Sequence, residues 1–246
     1  MKFFEHFFQT DEIKKQELTK IFSEIDMSDW MQVFSACLGK MMVIQNNASD
    51  YIVKGRGWHV DFSERSLYFG EDEYKFQYIG SESSSSNTWM WGWENINQFS
   101  EELLVLSNEM LTKGSEWKLE PLYTPKFELS DIFNGHTLSI VACGLSEENY
   151  FYYRGPHNGG AVYMAVEYAQ KDILNPVNLT LFAQITMQCV KQYPINHKIF
   201  VESLLQWNKT PYTWKGDTLI ARFPQELFIG FEQKGEHYRI VSIKTR

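Results

Sequence analysis

Residues 87–95 read NTWMWGWEN, and this stretch decides the fold class because its tryptophans recur at every second position. Side chains two positions apart lie on the same face of a β-strand, so the pattern predicts a strand with Trp89, Trp91 and Trp93 on one face. Two interpretations of that face are open: a platform for sugars or nucleobases, or one wall of the hydrophobic core. Core burial is favoured, because a sheet covered by amphipathic helices needs an apolar face.

The segments before this strand also alternate, which indicates a sheet. In GWHVDF (residues 57–62) and YKFQYIG (residues 74–80), aromatic or apolar residues occupy every second position. Short polar turns at residues 63–65 and 70–72 favour an antiparallel meander. The run SESSSSN (residues 81–87) is too polar to be buried, and it predicts a mobile hairpin loop.

Helical patterns flank the predicted sheet. One helix is predicted from Thr10 to about Glu24, and a second begins at the N-cap Ser28 and ends near residues 45–47. The later predicted elements are a helix from Ser100 to Gly114, a helix over residues 131–146, a hairpin turning at residues 156–160, a helical region over residues 176–208 broken at Pro194, and two final hairpins.

This order of elements predicts an α+β fold, in which antiparallel sheets of meander hairpins are covered by helices. We expect a single unit over residues 1–246. The alternative is two topologically similar halves, residues 1–114 and 130–246, joined by a connector at residues 115–129 that contains Pro121 and Pro125.

Composition and charge narrow the class of protein. The chain has 246 residues, a net charge of −8 and scattered basic residues, which argues against nucleic-acid binding. No apolar run reaches about 18 residues, so we expect no membrane association through a spanning helix. Cys37, Cys143 and Cys189 are odd in number and widely spaced, which favours the reducing cytoplasm and predicts no metal site. No cofactor is predicted.

Two stretches, NTWMWGWEN and YYRGPHNGGAVYMAV (residues 152–166), together resemble a bacterial family known only as a domain of unknown function. Its members pair a Trp-x-Trp-x-x-Asn strand with a later Tyr-Arg-Gly-Pro and Gly-Gly hairpin. The resemblance covers most of residues 50–170. It implies a soluble bacterial α+β protein, and it brings no catalytic residues.

Arg154 is the leading binding candidate. Alternation places it on one face with Tyr152, before a glycine-rich turn, where a guanidinium could hold a carboxylate or phosphate. Packing over tyrosine rings, or pairing with a carboxylate such as Glu167, is an equal alternative. His157 is a candidate acid or base in the turn, although a solvated loop histidine is favoured.

Two further sets of polar residues are weaker candidates. Glu94 and Asn95 follow the tryptophan strand, where a self-satisfied turn is favoured over a binding site. His59 and Asp61 share the polar face of GWHVDF, where exposure to solvent is favoured over proton transfer or metal binding.

Two functions remain open. The favoured one is a non-catalytic protein-binding module, immunity-type or regulatory, whose acidic surface suits a basic protein partner. The other is a small-molecule or anion site, either a binding site or the active site of an enzyme, formed by Arg154 and His157 near Glu94 and Asn95. That site requires the end of the tryptophan strand and the Arg-Gly-Pro turn to share one cleft.

Overall fold

The computed structural model describes residues 19–168, 171–235 and 237–246. It confirms the α+β class with antiparallel sheets. The helices are α1 (Trp30–Ala48), α2 (Val105–Trp117), α3 (Glu120–Tyr123), α4 (Gly135–Leu145), α5 (Leu179–Gln192) and α6 (His197–Trp207). The predicted helix from Thr10 begins outside the described residues, and Lys20–Ser23 within them forms a 3-10 turn.

A seven-stranded antiparallel sheet contains the tryptophan strand. Its strands are β1 (Trp58–Asp61), β2 (Ser66–Phe69), β3 (Asp72–Ser83), β4 (Thr88–Trp91), β5 (Lys126–Glu128), β6 (Tyr150–His157) and β7 (Gly160–Glu167). The pairing order is β1-β2-β3-β4-β5, with β7 also paired to β3 and β6 paired to β7. The long strand β3 therefore joins the early meander to the later hairpin.

The tryptophan strand is part of the core. Trp89 and Trp91 are fully buried on β4, and their rings meet edge to face at 5.4 Å between centroids. The strand ends at Trp91, because Gly92–Glu94 forms a 3-10 turn, so the prediction that Trp93 lies on the same strand face is wrong. The Trp91 indole Nε1 donates a hydrogen bond to the carbonyl of Pro121 at 2.9 Å.

Helix α1 runs through the centre of the core. Most of its residues from Val33 to Ile44 are buried, because α4, α5 and α6 all pack against it. Asp29, and not Ser28, is its N-cap: the Asp29 carboxylate accepts hydrogen bonds from the backbone N–H groups of Met31 and Gln32. A carboxylate next to the positive helix end is favoured further by the helix dipole.

Two other predicted boundaries are also wrong. Residues 81–83 belong to β3, so the hairpin turn is shorter than the polar run suggested. Helix α2 continues past Gly114 to Trp117, and a Cβ at Gly114 would lie 2.6 Å from Leu122 Cβ, so that glycine serves close packing. The predicted connector is structured, because it contains α3 and β5, and β5 pairs with β4.

The last part of the chain forms a four-stranded antiparallel meander. Its strands are β8 (Tyr212–Lys215), β9 (Thr218–Arg222), β10 (Glu226–Lys234) and β11 (His237–Thr245), in the order β11-β10-β9-β8. Pro194 separates α5 from α6 as predicted. Leu219, Ile229 and Phe231 on this sheet belong to the same buried cluster as α1 and the first sheet.

Candidate functional site

The start of α4 packs on the first sheet through a partly buried polar cluster around Glu82 of β3. Antiparallel register places Glu82 opposite Trp89 on β4 and opposite Ala161 on β7. The Glu82 carboxylate accepts hydrogen bonds from the Gly135 backbone N–H at 2.7 Å and from the Tyr163 hydroxyl at 2.9 Å. It therefore satisfies one of the free N–H groups at the start of α4.

Close packing in this cluster depends on a glycine. A Cβ at Gly135 would lie 2.2 Å from the Tyr163 ring, so only glycine allows α4 to approach the sheet this closely. Asn134 completes the helix start, since its side chain accepts from the backbone N–H groups of His136 and Thr137. The donors at this helix end are therefore used within the chain.

Arg154 and Tyr152 lie at the edge of the Glu82 cluster. Arg154 Nε is 4.0 Å from Glu82 Oε2, and the Arg154 side chain is 41% exposed. Arg154 thus pairs with a carboxylate, as one of the sequence alternatives had it, but the partner is Glu82; Glu167 pairs with Arg65, with 2.9 Å between Arg65 Nη2 and Glu167 Oε1. At 4.0 Å the contact between Arg154 and Glu82 is a loose ion pair.

His136, which sequence reasoning did not single out, contacts both neighbouring tyrosines. Its Nδ1 lies 3.1 Å from the Tyr152 hydroxyl, and its ring meets Tyr163 edge to face. Loss of water from part of the ring lowers the pKa of His136, as does the charge of Arg154, while Glu82 acts in the opposite direction. Burial raises the pKa of Tyr152 and Tyr163, so both hydroxyls stay protonated at neutral pH.

The other sequence candidates do not join this cluster. Asn95 closes its own turn: its amide donates to the Phe99 carbonyl, and its side-chain oxygen accepts from the Phe99 N–H. Glu94 is exposed in the preceding 3-10 turn. His157 is exposed at the hairpin turn, with Nδ1 3.2 Å from the carbonyl of Asn158.

The sheet register explains why these candidates stay apart. The turn after His157 is level with the start of β4, because Gly160 pairs with Ser83 and Ser83 pairs with Thr88. Glu94 and Asn95 follow the other end of β4, and β7 and β3 lie between β4 and β6. The hydrogen bonds, ion pairs and ring contacts of the described residues do not connect the two groups.

His59 and Asp61 each have local partners. The His59 ring stacks on Tyr68 with 4.3 Å between centroids, and both His59 and Asp61 are exposed, as the alternation predicted. The Asp61 carboxylate accepts hydrogen bonds from Ser63 and Glu64 in the following turn, which lowers the pKa of Asp61. In the described ranges, no group of three or more His, Cys, Asp or Glu side chains is arranged to hold a metal ion.

An acidic cleft lies where two paired strands separate. The last pair between β3 and β7 is Phe76 with Val166. Beyond that pair lies a cavity of about 650 Å³, lined by Glu71, Asp72, Glu73, Tyr74, Lys75, Glu167 and Tyr168. Carboxylates thus dominate the wall on both sides of the separation.

A second cavity of about 340 Å³ adjoins the first. It is lined by Val105, Glu148, Asn149, Tyr150, Glu167 and Tyr168, so Glu167 and Tyr168 belong to both cavities. Tyr168 is 6% exposed, and its hydroxyl has no hydrogen-bond partner among the described residues. The hydroxyl oxygen is itself inaccessible to solvent, and a buried hydroxyl without a partner is unfavourable.

Ion pairs fix most of the cleft's carboxylates in place. Asp72 pairs with Arg56, Glu73 pairs with Lys75, and Glu167 pairs with Arg65. Glu71 is exposed in the turn between β2 and β3, and the ion pairs of the described residues do not include it. The cleft therefore offers pre-positioned carboxylates, with Glu71 available for a cation from outside.

Sequence reasoning missed both polar features of the site. Three consecutive acidic residues at positions 71–73 indicate an acidic surface, but the sequence pattern around residues 70–72 predicts only a turn. Glu82 stands in a serine-rich run that resembles a loop, and its partners Gly135 and Tyr163 are distant in sequence.

Comparison with known proteins assigns a family but no activity. Residues 31–168, more than half of the chain, match the model of DUF6882, a family of unknown function. No curated protein and no solved structure matches the chain. None of the helices in the described part of the chain combines the length and apolar character that crossing a bilayer requires.

Proposed function

Since the chain belongs to DUF6882, a family of unknown function, we propose from its geometry that it is a non-catalytic protein-binding module whose acidic cleft receives a basic segment of a partner protein. One observation carries the proposal: a cavity of about 650 Å³ lies at a strand separation, and four carboxylates, Glu71, Asp72, Glu73 and Glu167, belong to its lining. Carboxylates held in a concave surface attract Lys and Arg side chains and steer their approach.

The charge distribution supports this assignment. Within residues 31–168, Asp and Glu are twice as numerous as Lys and Arg. Arg56, Arg65 and Lys75 pair with three of the cleft's carboxylates, Asp72, Glu167 and Glu73, and Glu71 adds a fourth carboxylate. A positively charged ligand therefore meets a favourable field in the cleft.

The first prediction concerns charge reversal at Glu71. A fluorescently labelled hexapeptide with two arginines should bind the wild-type protein, and its affinity should fall as salt rises. Glu71→Lys should weaken binding by about five- to tenfold, because it replaces an attraction with a repulsion at an exposed position. Fluorescence anisotropy at low and at physiological ionic strength measures both effects.

Glu128→Lys is the matched control, because Glu128 is exposed on β5 of the same sheet and the substitution changes net charge equally. It should leave the affinity within about twofold of wild type. Equal weakening by the two substitutions would assign the binding to overall charge and contradict the cleft. Binding that does not respond to salt would contradict the electrostatic basis of the proposal.

A further inference from the structure

Arg154 on the edge strand β6 is less neutralised than the other arginines of residues 31–168. Those arginines, Arg56 and Arg65, lie 2.6 Å and 2.9 Å from a carboxylate oxygen. Arg154 Nε is 4.0 Å from its carboxylate, Glu82, and the side chain remains largely exposed. A guanidinium held this loosely keeps much of its attraction for an anion from solution.

Glu82 holds Arg154 only loosely because shorter contacts already use its carboxylate. The Gly135 N–H donates to Glu82 Oε1 at 2.7 Å, and the Tyr163 hydroxyl donates to Oε2 at 2.9 Å. The Tyr163 hydroxyl also interacts with the Arg154 guanidinium. Because a guanidinium has five N–H donors in a planar fork, these two neighbours leave donors for a ligand.

Two more side chains that donate hydrogen bonds lie beside Arg154. Tyr152 is two positions earlier on β6, so its side chain projects from the same face of the sheet. His136, the second residue of α4, is exposed, and its Nδ1 lies 3.1 Å from the Tyr152 hydroxyl. When this hydroxyl donates to Nδ1, the neutral ring carries its hydrogen on Nε2.

We propose that Arg154, His136 and Tyr152 form a binding site for a dianionic tetrahedral oxyanion, the group that phosphate and phosphomonoesters share. Arg154 supplies the permanent charge. A protonated His136 donates from both ring nitrogens, so the Tyr152 hydroxyl then accepts from Nδ1 and turns its own hydrogen to the anion. The site is separate from the proposed function, since none of the three residues lines the acidic cleft.

His136 makes the binding depend on pH. In the free protein, partial burial and the charge of Arg154 lower the pKa of His136, and Glu82 opposes them. The other titratable groups in contact with the ring, Tyr152 and Tyr163, are neutral. A bound dianion raises the pKa of His136, so by linkage the anion binds more tightly as pH falls.

The test titrates the full chain with sodium sulfate at constant ionic strength and follows the backbone amide and histidine resonances by NMR. Sulfate stays a dianion throughout, so only the protein titrates. Binding should saturate below about 10 mM and should be about threefold tighter at pH 6.0 than at pH 8.0. Arg154→Gln should weaken binding at least about tenfold. Arg222→Gln, the same change at an exposed position of β9, should stay within about twofold of wild type.

A second pair of variants tests the imidazole. His136→Gln should bind sulfate with little dependence on pH, because glutamine does not titrate. His157→Gln should keep the dependence of the wild type, because His157 is exposed at the hairpin turn that follows Arg154 on the same strand. Inorganic phosphate and phenyl phosphate, compared at pH 8.0, then distinguish free phosphate from an ester as the better ligand.

Three results would overturn the site. Equal weakening by Arg154→Gln and Arg222→Gln would assign the binding to net charge. A pH dependence that survives in His136→Gln would remove His136 from the site. Acetate that binds as tightly as sulfate would contradict a preference for dianions. Glu71→Lys should leave the sulfate affinity within about twofold of wild type, so this site and the acidic cleft succeed or fail separately.

Discussion

At the scale of single residues, Glu82 has the most demanding environment in the candidate region. Its side chain is 15% exposed, and it joins β3 to α4 through Gly135 and to β7 through Tyr163. A carboxylate accepts hydrogen bonds at both oxygens, whereas an amide replaces one oxygen with a donor. A glutamine amide can accept from the Gly135 N–H and donate to the Tyr163 hydroxyl, which also accepts, so it keeps both contacts but loses the negative charge that strengthens them.

We therefore predict that Glu82→Gln lowers the free energy of unfolding by about 1 kcal/mol, because hydrogen bonds to a neutral amide are weaker than hydrogen bonds to a carboxylate. Urea denaturation followed by tryptophan fluorescence measures the change, since Trp89 and Trp91 are buried beside the cluster. Glu128→Gln, the same substitution at an exposed position of the sheet, should change stability by less than about 0.5 kcal/mol. Equal midpoints for the two variants would show that the Glu82 contacts contribute nothing.

At the scale of elements, β11 is an edge strand, and a side chain from α6 accepts a hydrogen bond from one of its backbone N–H groups. The Ile240 backbone N–H donates to His197 Nδ1 at 3.0 Å, so the first residue of α6 satisfies a donor on this strand. Because Nδ1 accepts this hydrogen bond, His197 is neutral there. Partial burial lowers the pKa of His197, and the charge of Arg239 lowers it further.

The sign of the pH effect follows from that lowered pKa. Below about pH 6.5, His197 binds a proton in the unfolded chain, whereas in the folded chain it stays neutral until the pH falls below its lowered pKa. The folded state therefore loses stability between these two pKa values. His197→Asn keeps an acceptor near the position of Nδ1 and does not titrate, so it should lose less stability than wild type between pH 7.5 and pH 5. Chemical denaturation at both pH values measures the difference, with His157→Asn as the exposed control. An identical pH response in His197→Asn and wild type would refute this role.

Local patterns predicted the elements well where one local cause decides them. Alternation identified the strands because one face is buried, Asn158-Gly159 marked the hairpin, and Pro194 divided α5 from α6. The prediction that α2 ends at Gly114 is wrong, because this glycine allows close packing against Leu122. The residue with the left-handed conformation at the end of the helix is Lys118. The cleft was not predicted, because the point at which β3 and β7 separate depends on pairing between segments that are distant in sequence.

At the scale of the whole molecule, the matched family segment does not contain all of its own core. Residues outside 31–168 cover α1: a Cβ at Gly39 would lie 2.9 Å from Leu204 Cβ of α6, and the Ser203 hydroxyl donates to the Ala36 carbonyl. Asn196 at the start of α6 donates its N–H to Ser35 Oγ. These contacts support our expectation that the chain is a single unit.

A chain truncated after residue 168 tests that expectation. It would lose α5, α6 and the second sheet, and it would expose the apolar face of α1 that they cover. We predict that this truncated chain aggregates or unfolds without a cooperative transition, because a surface of that size cannot remain in contact with water. Sedimentation velocity and thermal unfolding compare it with the full chain. A soluble monomer with a sharp transition would show instead that residues 1–168 fold independently, and that the C-terminal helices and sheet are a separate addition.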